Sequence, residues 1–247
     1  MNFANTTVLV TGGGRGIGRH LVQRLFEEGA RVCVLELDPK LVEELNNLGI
    51  SSWQCDVSDA DTVDTTIRQI FASGFLPQVL VNNAGVIHNE PLVNLLTKDD
   101  KAHSRQSWKR VIACDLDSVF YVTSRFVERL VSHRLKGTVV SISSISARGN
   151  AGQTAYSAAK AGVIALTSTW AKELGPLGFR FAAISPGFLD TQSTQAALSQ
   201  GIQERLKNQI PLRRFGNAEH VYLALRYIIE NDYVNGTALE VDGGLIL

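Results

Sequence analysis

Tyr156 and Lys160 stand four residues apart in Tyr156-Ser157-Ala158-Ala159-Lys160. On a helix that spacing puts both side chains on one face. The chemistry on offer is proton transfer. A phenol titrates near pH 10 and an adjacent ammonium favours the phenolate, which makes Tyr156 a usable acid and base near neutrality. Ser143 and Ser144 precede the pair, and a serine hydroxyl beside the phenol can hold a carbonyl or alcohol oxygen. A tyrosine and a lysine at this spacing also occur together on ordinary surface helices, so their weight depends on what surrounds them.

A second group of residues suits a phosphate. Thr11-Gly12-Gly13-Gly14-Arg15-Gly16-Ile17-Gly18 follows an apolar run and opens a helical pattern. Glycines there reach φ > 0 and let the backbone approach a pyrophosphate, whose charge is stabilised by free N–H groups and the dipole at the helix N-terminus. The spacing of Gly12, Gly16 and Gly18 is GxxxGxG rather than GxGxxG. Glu36 falls 18 residues after Gly18, where a carboxylate accepts from an adenosine ribose and repels a 2′-phosphate, favouring NAD(H) over NADP(H). Arg15 is the counter-signal, because it can reach toward a 2′-phosphate; a fixed carboxylate outweighs a mobile surface arginine. Asp56-Val57, Asn82-Asn83-Ala84-Gly85 and Pro186-Gly187 with Thr191 each follow a predicted strand. Singly they read as turn chemistry. Together they share the carboxyl edge of one sheet, where Asp56 can accept from an adenine amino group and Asn83, Ala84 and Gly85 can meet the ribose.

These residues have to be positioned by an alternation of elements. Apolar runs predict strands over 7–10, 31–35, 52–55, 79–82, 138–143, 180–185 and 238–241, and helical periodicity covers 17–28, 39–48, 60–72, 107–133, 154–174 and 218–230. Continuously apolar runs such as Val8-Leu9-Val10 suit strands buried on both faces. The expected fold is α/β: a doubly wound, Rossmann-type parallel sheet of about seven strands with helices on both faces, as one domain over 1–247.

Composition narrows the function classes. The 247 residues carry 24 Lys+Arg against 24 Asp+Glu, a net charge of zero, so no global field draws the chain to nucleic acid or an anionic membrane. No apolar run reaches membrane-spanning length and no basic segment precedes an apolar one at the N-terminus, so the expected location is cytoplasmic. Cys33, Cys55 and Cys114 lack CxxC spacing and read as small buried apolar residues. His20, His88, His103, His133 and His220 lack HxH or HExxH spacing, and no metal site is expected. Trp53, Trp108 and Trp170 are expected to pack in the core or an interface.

Thr11 to Gly18, Asn82 to Gly85, the serine ahead of Tyr156 and Lys160, Pro186-Gly187 and Val241-Asp242-Gly243-Gly244, in that order and across nearly the whole chain, resemble the short-chain dehydrogenase/reductase family. The resemblance implies hydride transfer between a nicotinamide cofactor and a carbonyl or alcohol, with Tyr156 as general acid/base and Lys160 favouring its phenolate and holding the nicotinamide ribose. It also implies that Thr191 and the backbone after Pro186 hold the carboxamide. The family spacing from Tyr156 points to Ser143 as the catalytic serine, whereas strand register from Gly137 points to Ser144. Register fixes the face a side chain takes while a loop loses a residue cheaply, which favours Ser144 and leaves Ser143 to pack or bond nearby. Where the family carries an asparagine supporting a proton-relay water, this chain has Asp115; aspartate can substitute if a backbone carbonyl at a helix irregularity serves, but not if a side-chain amide is needed.

The segment 86–106 is long for the family and, with 188–215, is expected to wall the substrate site. Arg148, Lys207, Arg213 and Arg214 are candidate contacts for a phosphopantetheine or CoA. The subgroup resembled is that of 3-hydroxyacyl-CoA dehydrogenases and 3-oxoacyl carrier-protein reductases, which implies an acyl-thioester substrate. A sugar or polyol is the alternative substrate, and a dinucleotide-sensing protein without turnover is the rival from another class. A homodimer or homotetramer is expected, with the long helices over 107–133 and 154–174 paired across a two-fold axis.

Overall fold

The structure is a computed structural model that describes residues 4, 6–98, 100–191 and 199–245. Seven strands form one sheet: β1 (Thr7–Thr11), β2 (Arg31–Glu36), β3 (Ser51–Gln54), β4 (Val79–Asn82), β5 (Thr138–Ile142), β6 (Arg180–Pro186) and β7 (Thr237–Val241). All neighbours pair in parallel, in the order β3-β2-β1-β4-β5-β6-β7. The order reverses between β1 and β4, so the carboxyl ends of these two strands open the crevice where ligands bind in such sheets.

Strand alternation separates two cores. Val8 and Val10 point to one face, where Leu21, Val22 and Leu25 of α1 (Gly16–Glu27) meet Tyr222, Leu225 and Ile228 of the final helix (Ala218–Glu230). Leu9, between them in sequence, points to the other face and packs with Ile67 of α3 (Ala60–Ala72) and Phe126 and Leu130 of α5 (Ser118–Ser132). The short helix α2 (Pro39–Asn47) connects β2 to β3 and begins with Asp38 accepting from Lys40 N. α6 (Thr154–Leu174) crosses from β5 to β6 and carries Tyr156 and Lys160 in its first turns.

Three features depart from the sequence expectations. The helix expected over 107–133 is divided into α4 (Arg105–Ile112), a π turn at Ala113–Asp117 and α5. At the π turn the Ser118 amide donates to Ala113 O, and the Ser118 hydroxyl satisfies Cys114 O at 2.7 Å. Hydrophobic periodicity runs through the break because apolar residues continue on both sides of it. The long segment before α4 holds an antiparallel bridge between Val93 and Ala102, with Asn94 N donating to Lys101 O at 2.7 Å and His103 N to Leu92 O at 2.9 Å. Glu90 closes the base of this hairpin, accepting from Ser104 N at 2.6 Å and lying 2.8 Å from His88 Nε2. Within 188–215, residues Gln200–Gln209 form a further helix, α7, and the final helix is therefore α8. The stretch 192–198 lies outside the described residues.

Trp53 and Trp170 pack against the second core as expected, but Trp108 is 40% exposed on α4. Its helix turns that face toward the hairpin rather than toward the sheet. Cys33 and Cys55 are buried, and Cys114 is half-buried.

One side chain ties β6 to the end of α8. The Arg180 guanidinium donates to Ile228 O, Asn231 O and Val234 O at 2.9, 3.1 and 3.0 Å, and to Ile229 O at 3.2 Å. Ile228 O, Ile229 O and Asn231 O are carbonyls that a helix C-terminus leaves without intrahelical partners, and Val234 O belongs to the turn that follows. Arg180→Met keeps much of the stem but removes every one of these bonds, and is expected to cost about 2–3 kcal/mol in denaturant unfolding; an unchanged midpoint would refute this role.

Candidate active site

The glycine-rich turn between β1 and α1 is shaped by close approach as well as by torsion. Gly12 (φ +64°) passes so near β4 that a Cβ there would lie 2.9 Å from Ala84 Cα, and a Cβ on Gly18 would sit 2.1 Å from Gly12 O. Only glycine fits at either place. Around Gly16 (φ +56°) a Cβ would meet no atom within 4 Å among the described residues, so the backbone there is open to an incoming group. Arg15, extended at the N-cap of α1, gives the helix no side-chain cap, and the first turn holds no acidic residue. The N-terminal amides of α1 and its dipole therefore face open space, an arrangement that suits a pyrophosphate.

Glu36 at the end of β2 is only 6% exposed. Its Oε2 accepts from Gly14 N at 2.8 Å, and its Oε1 from Leu37 N at 3.0 Å and Asp38 N at 3.3 Å. Three of about four acceptor positions of the carboxylate are thereby used on the backbone. The strand-end charge expected from sequence is fixed beneath the glycine turn. Arg15 is exposed and its guanidinium lies 3.4 Å from Asp38, at the solvent edge. Asp56 is exposed and spends Oδ1 on Ser58 N and Ser58 Oγ at 3.0 and 2.6 Å, which is turn chemistry; Val57 beside it is half-buried against the second core.

Asn83 joins the ends of β1 and β4. Its Nδ2 donates to Thr11 O and Gly12 O at 3.1 and 2.9 Å, while the Thr11 hydroxyl accepts from Asn83 N and Ala84 N, both at 3.0 Å. Asn82 turns inward to Thr123 Oγ1 at 2.9 Å and Ser141 Oγ at 3.2 Å. Ile17 leans on the first core, Pro186 ends β6 in a buried position, and Gly187 passes within 2.7 Å, measured from a built Cβ, of Asp242 Cα. Thr191 is half-buried at the edge of the described segment.

The acid–base group is assembled from α6, β5 and the π turn. Tyr156 and Lys160 are 9% and 4% exposed, and the Lys160 ammonium lies 5.5 Å from the Tyr156 ring centroid. Lys160 Nζ donates to Ile142 O at 3.1 Å and lies 3.1 Å from Asp115 Oδ1. Asp115 is fully buried, and its Oδ2 accepts from Val86 N at 3.0 Å. Burial holds the Asp115 carboxyl above the ordinary carboxylate range, against the pull of Lys160. Burial pulls Lys160 down, but the charges of Tyr156 and Asp115 outweigh it and keep the ammonium above its usual value. The two serines part company. Ser143 is buried and its hydroxyl donates to Lys160 O at 2.9 Å, while Ser144 is half-buried, extended beyond β5, with Oγ accepting from Ser146 N at 3.1 Å.

The sequence gives no sign of Val86 N and Ile142 O as partners, since backbone groups leave no mark in residue identity. The basic residues expected at the mouth are mostly engaged: Arg148 pairs with Glu240, Lys207 lies 2.7 Å from Glu204, and Arg213 and Arg214 donate to Asn208 O and Phe215 O. Two hollows border the site. One of about 560 Å³ lies beside Asp190, Lys207, Arg214 and Phe215, and one of about 320 Å³ is lined by Leu92, His103, Arg105, Trp108, Lys109 and Thr154.

A family model described as enoyl-(acyl carrier protein) reductase matches residues 12–246. The chain belongs to the short-chain dehydrogenase/reductase family. This dehydrogenase/reductase is 35% identical to a (3R)-3-hydroxyacyl-CoA dehydrogenase of Rattus norvegicus, over all of this chain and 98% of that protein. It is 34% identical to a 3-oxoacyl-[acyl-carrier-protein] reductase of Thermotoga maritima, over the full length of both. Among solved structures it is similar to a putative gluconate dehydrogenase from Agrobacterium tumefaciens, with a TM-score of 0.87, 28% identity and coverage of 98% of this chain and 96% of that one. As a member of this family the chain is an oxidoreductase that uses a nicotinamide dinucleotide.

Gly85 presses against the Asp115–Lys160 pair: a Cβ there would lie 2.4 Å from Asp115 Oδ1 and 3.5 Å from Lys160 Nζ. Because Asp115 is buried, with Oδ2 bonded to Val86 N and Oδ1 ion-paired with Lys160 at 3.1 Å, it has little room to yield. Gly85→Ala is expected to cost about 1–3 kcal/mol through overpacking and to lower turnover with it, measured by thermal unfolding and steady-state rates; a variant of native stability and rate would refute this constraint.

Proposed function

We propose that this short-chain dehydrogenase/reductase interconverts a secondary alcohol and a ketone with NAD(H), acting on a 3-hydroxyacyl/3-oxoacyl thioester. The observation that carries the chemistry is the buried Lys160 ammonium beside the Tyr156 ring, on one face of α6. A bound nicotinamide supplies or takes the hydride. In reduction, Tyr156 gives its proton to the ketone oxygen as that oxygen gains charge, and in oxidation it takes the alcohol proton. The Ser144 hydroxyl donates to the same oxygen and orients it. Lys160 favours negative charge on Tyr156 and is placed to meet the nicotinamide ribose.

The NAD(H) preference is supported by Glu36, whose charge is held beneath the glycine turn by three backbone amides. A 2′-phosphate would have to approach this carboxylate, and Arg15 is already near Asp38. The thioester is supported by the names of the rat and Thermotoga relatives, a 3-hydroxyacyl-CoA dehydrogenase and a 3-oxoacyl carrier-protein reductase. It is supported too by the smaller hollow, where Leu92 and Trp108 offer apolar surface, Arg105 and Lys109 offer cations, and Thr154 stands two residues from Tyr156. The likeness to a putative gluconate dehydrogenase favours a sugar acid as the second reading. A homodimer or homotetramer is part of the proposal, supported by Phe120 and Val131 of α5, which are 50% and 48% exposed. Among the described residues no helix is long and apolar enough to cross a membrane.

Absorbance of the reduced cofactor with a 3-oxoacyl-CoA and with gluconate tests the assignment. NADH is expected to exceed NADPH in kcat/KM by at least about tenfold, an electrostatic difference of about 1.4 kcal/mol, and the thioester to be turned over in preference to gluconate. Tyr156→Phe and Ser144→Ala should each lower kcat by about 100-fold or more. Ser143→Ala should keep the chemistry and lose about 1 kcal/mol of stability with its bond to Lys160 O. Turnover in Tyr156→Phe equal to the native enzyme would overturn the proposal, and loss of turnover in Ser143→Ala alone would reassign the serine.

A further inference from the structure

The feature that the proposed mechanism leaves unexplained is a second buried charge. Asp115 has no exposed surface, yet it sits on the π turn with Oδ2 on Val86 N at 3.0 Å and Oδ1 at 3.1 Å from Lys160 Nζ. Gly85 packs so close to it that a Cβ there would lie 2.4 Å from Oδ1. A carboxylate is costly in such a place, and an uncharged amide of the same shape would satisfy Val86 equally well.

We propose that Asp115 is a positioning residue that keeps Lys160 charged and in place, and thereby sets the pH range over which the Tyr156–Lys160 pair works. This rests on Tyr156 and Lys160 being the acid–base pair. A fully buried lysine with no counter-charge gives up its proton. Around the Lys160 ammonium the facing groups are Asp115 from the π turn and Tyr156 from its own helix, with Ile142 O an uncharged neighbour from β5; the Ser143 hydroxyl bonds the Lys160 backbone carbonyl instead. Around Asp115 the facing charge is Lys160, with the half-buried Cys114 thiol next to it, pushed up first by burial and then by Asp115 itself.

The sign of the effect follows. A buried negative charge raises the proton affinity of every group close to it, so removing it moves all of their titrations to lower pH. Asp115→Asn keeps the shape and an acceptor for Val86 N. Its kcat/KM profile is expected to move as a whole toward acid by about one pH unit. In the protein without cofactor, the Lys160 side chain, followed by NMR of labelled lysine and assigned through Lys160→Met, should lose its proton at lower pH than in the native chain. A profile and a Lys160 titration both unmoved in Asp115→Asn would overturn the inference, leaving Asp115 a packing residue. If Asp115→Asn does not fold, Lys160→Met provides the reciprocal measurement: the Asp115 carboxyl, followed by NMR, should protonate at higher pH than in the native chain, and an unchanged titration would overturn the inference equally. Neither titration needs a substrate, so their failure is distinct from failure of Tyr156→Phe to abolish turnover, which bears on the catalytic assignment.

Discussion

A buried ammonium has to be surrounded by groups that replace water, and the centre of this molecule is built around meeting that requirement for Lys160. One partner is the last carbonyl of β5, a second is the Asp115 carboxylate, and the ring of Tyr156 covers a third side. Each partner commits a different element. β5 has to end at Ile142, the helix before it has to break at Asp115, and β4 has to lead into Gly85 and Val86 at the carboxylate. The crevice at the reversal of strand order thus has its polar interior fixed by one set of contacts.

The cofactor side obeys a different constraint. Charges beside the glycine turn are paired with one another: Arg15 lies near Asp38 and Arg19 near Glu44, while Glu36 is held by Gly14 N. What the turn presents to an anion is backbone, held open by glycines and aligned with the dipole of α1. Glu36 fixes the turn through Gly14 N, so the shape of the backbone that faces an anion depends on a buried carboxylate. A chain of zero net charge can therefore take an anionic ligand with no general attraction to polyanions.

Much of this was legible in the sequence, and the parts that were not have physical reasons. Short apolar runs alternating with helical periodicity located all seven strands, and the helices over 60–72, 154–174 and 218–230 coincide with α3, α6 and α8. Consecutive residues at a strand end face opposite ways, and the structure buries Ser143 while leaving Ser144 half-buried. The π turn was not legible: it changes hydrogen-bond partners by one residue while leaving the pattern of apolar side chains intact. Nor was the hairpin around Val93 and Ala102, where the exposed residues carry no alternation, or α7, which buries none of its side chains. The role of Arg148 was legible only as charge, because its partner Glu240 lies on β7, which sequence alone does not bring beside it, whereas Lys207 meets Glu204 three residues earlier on the same helix.

The π turn also works as a phase shift between two helices. One extra residue in a helical turn rotates everything after it by about 100°, so the face that α5 lays on the sheet through Val122, Phe126 and Leu130 is offset from the face that α4 presents to the hairpin and to α6. Evolution can therefore lengthen or trim the hairpin before α4 at small cost, since its ends meet at the surface. A single residue removed from 113–117 would instead turn a core-facing stripe toward solvent and carry Asp115 away from Lys160. Within this connection, tolerance to change in length differs sharply over little more than ten residues: free in the hairpin, and fixed at the turn.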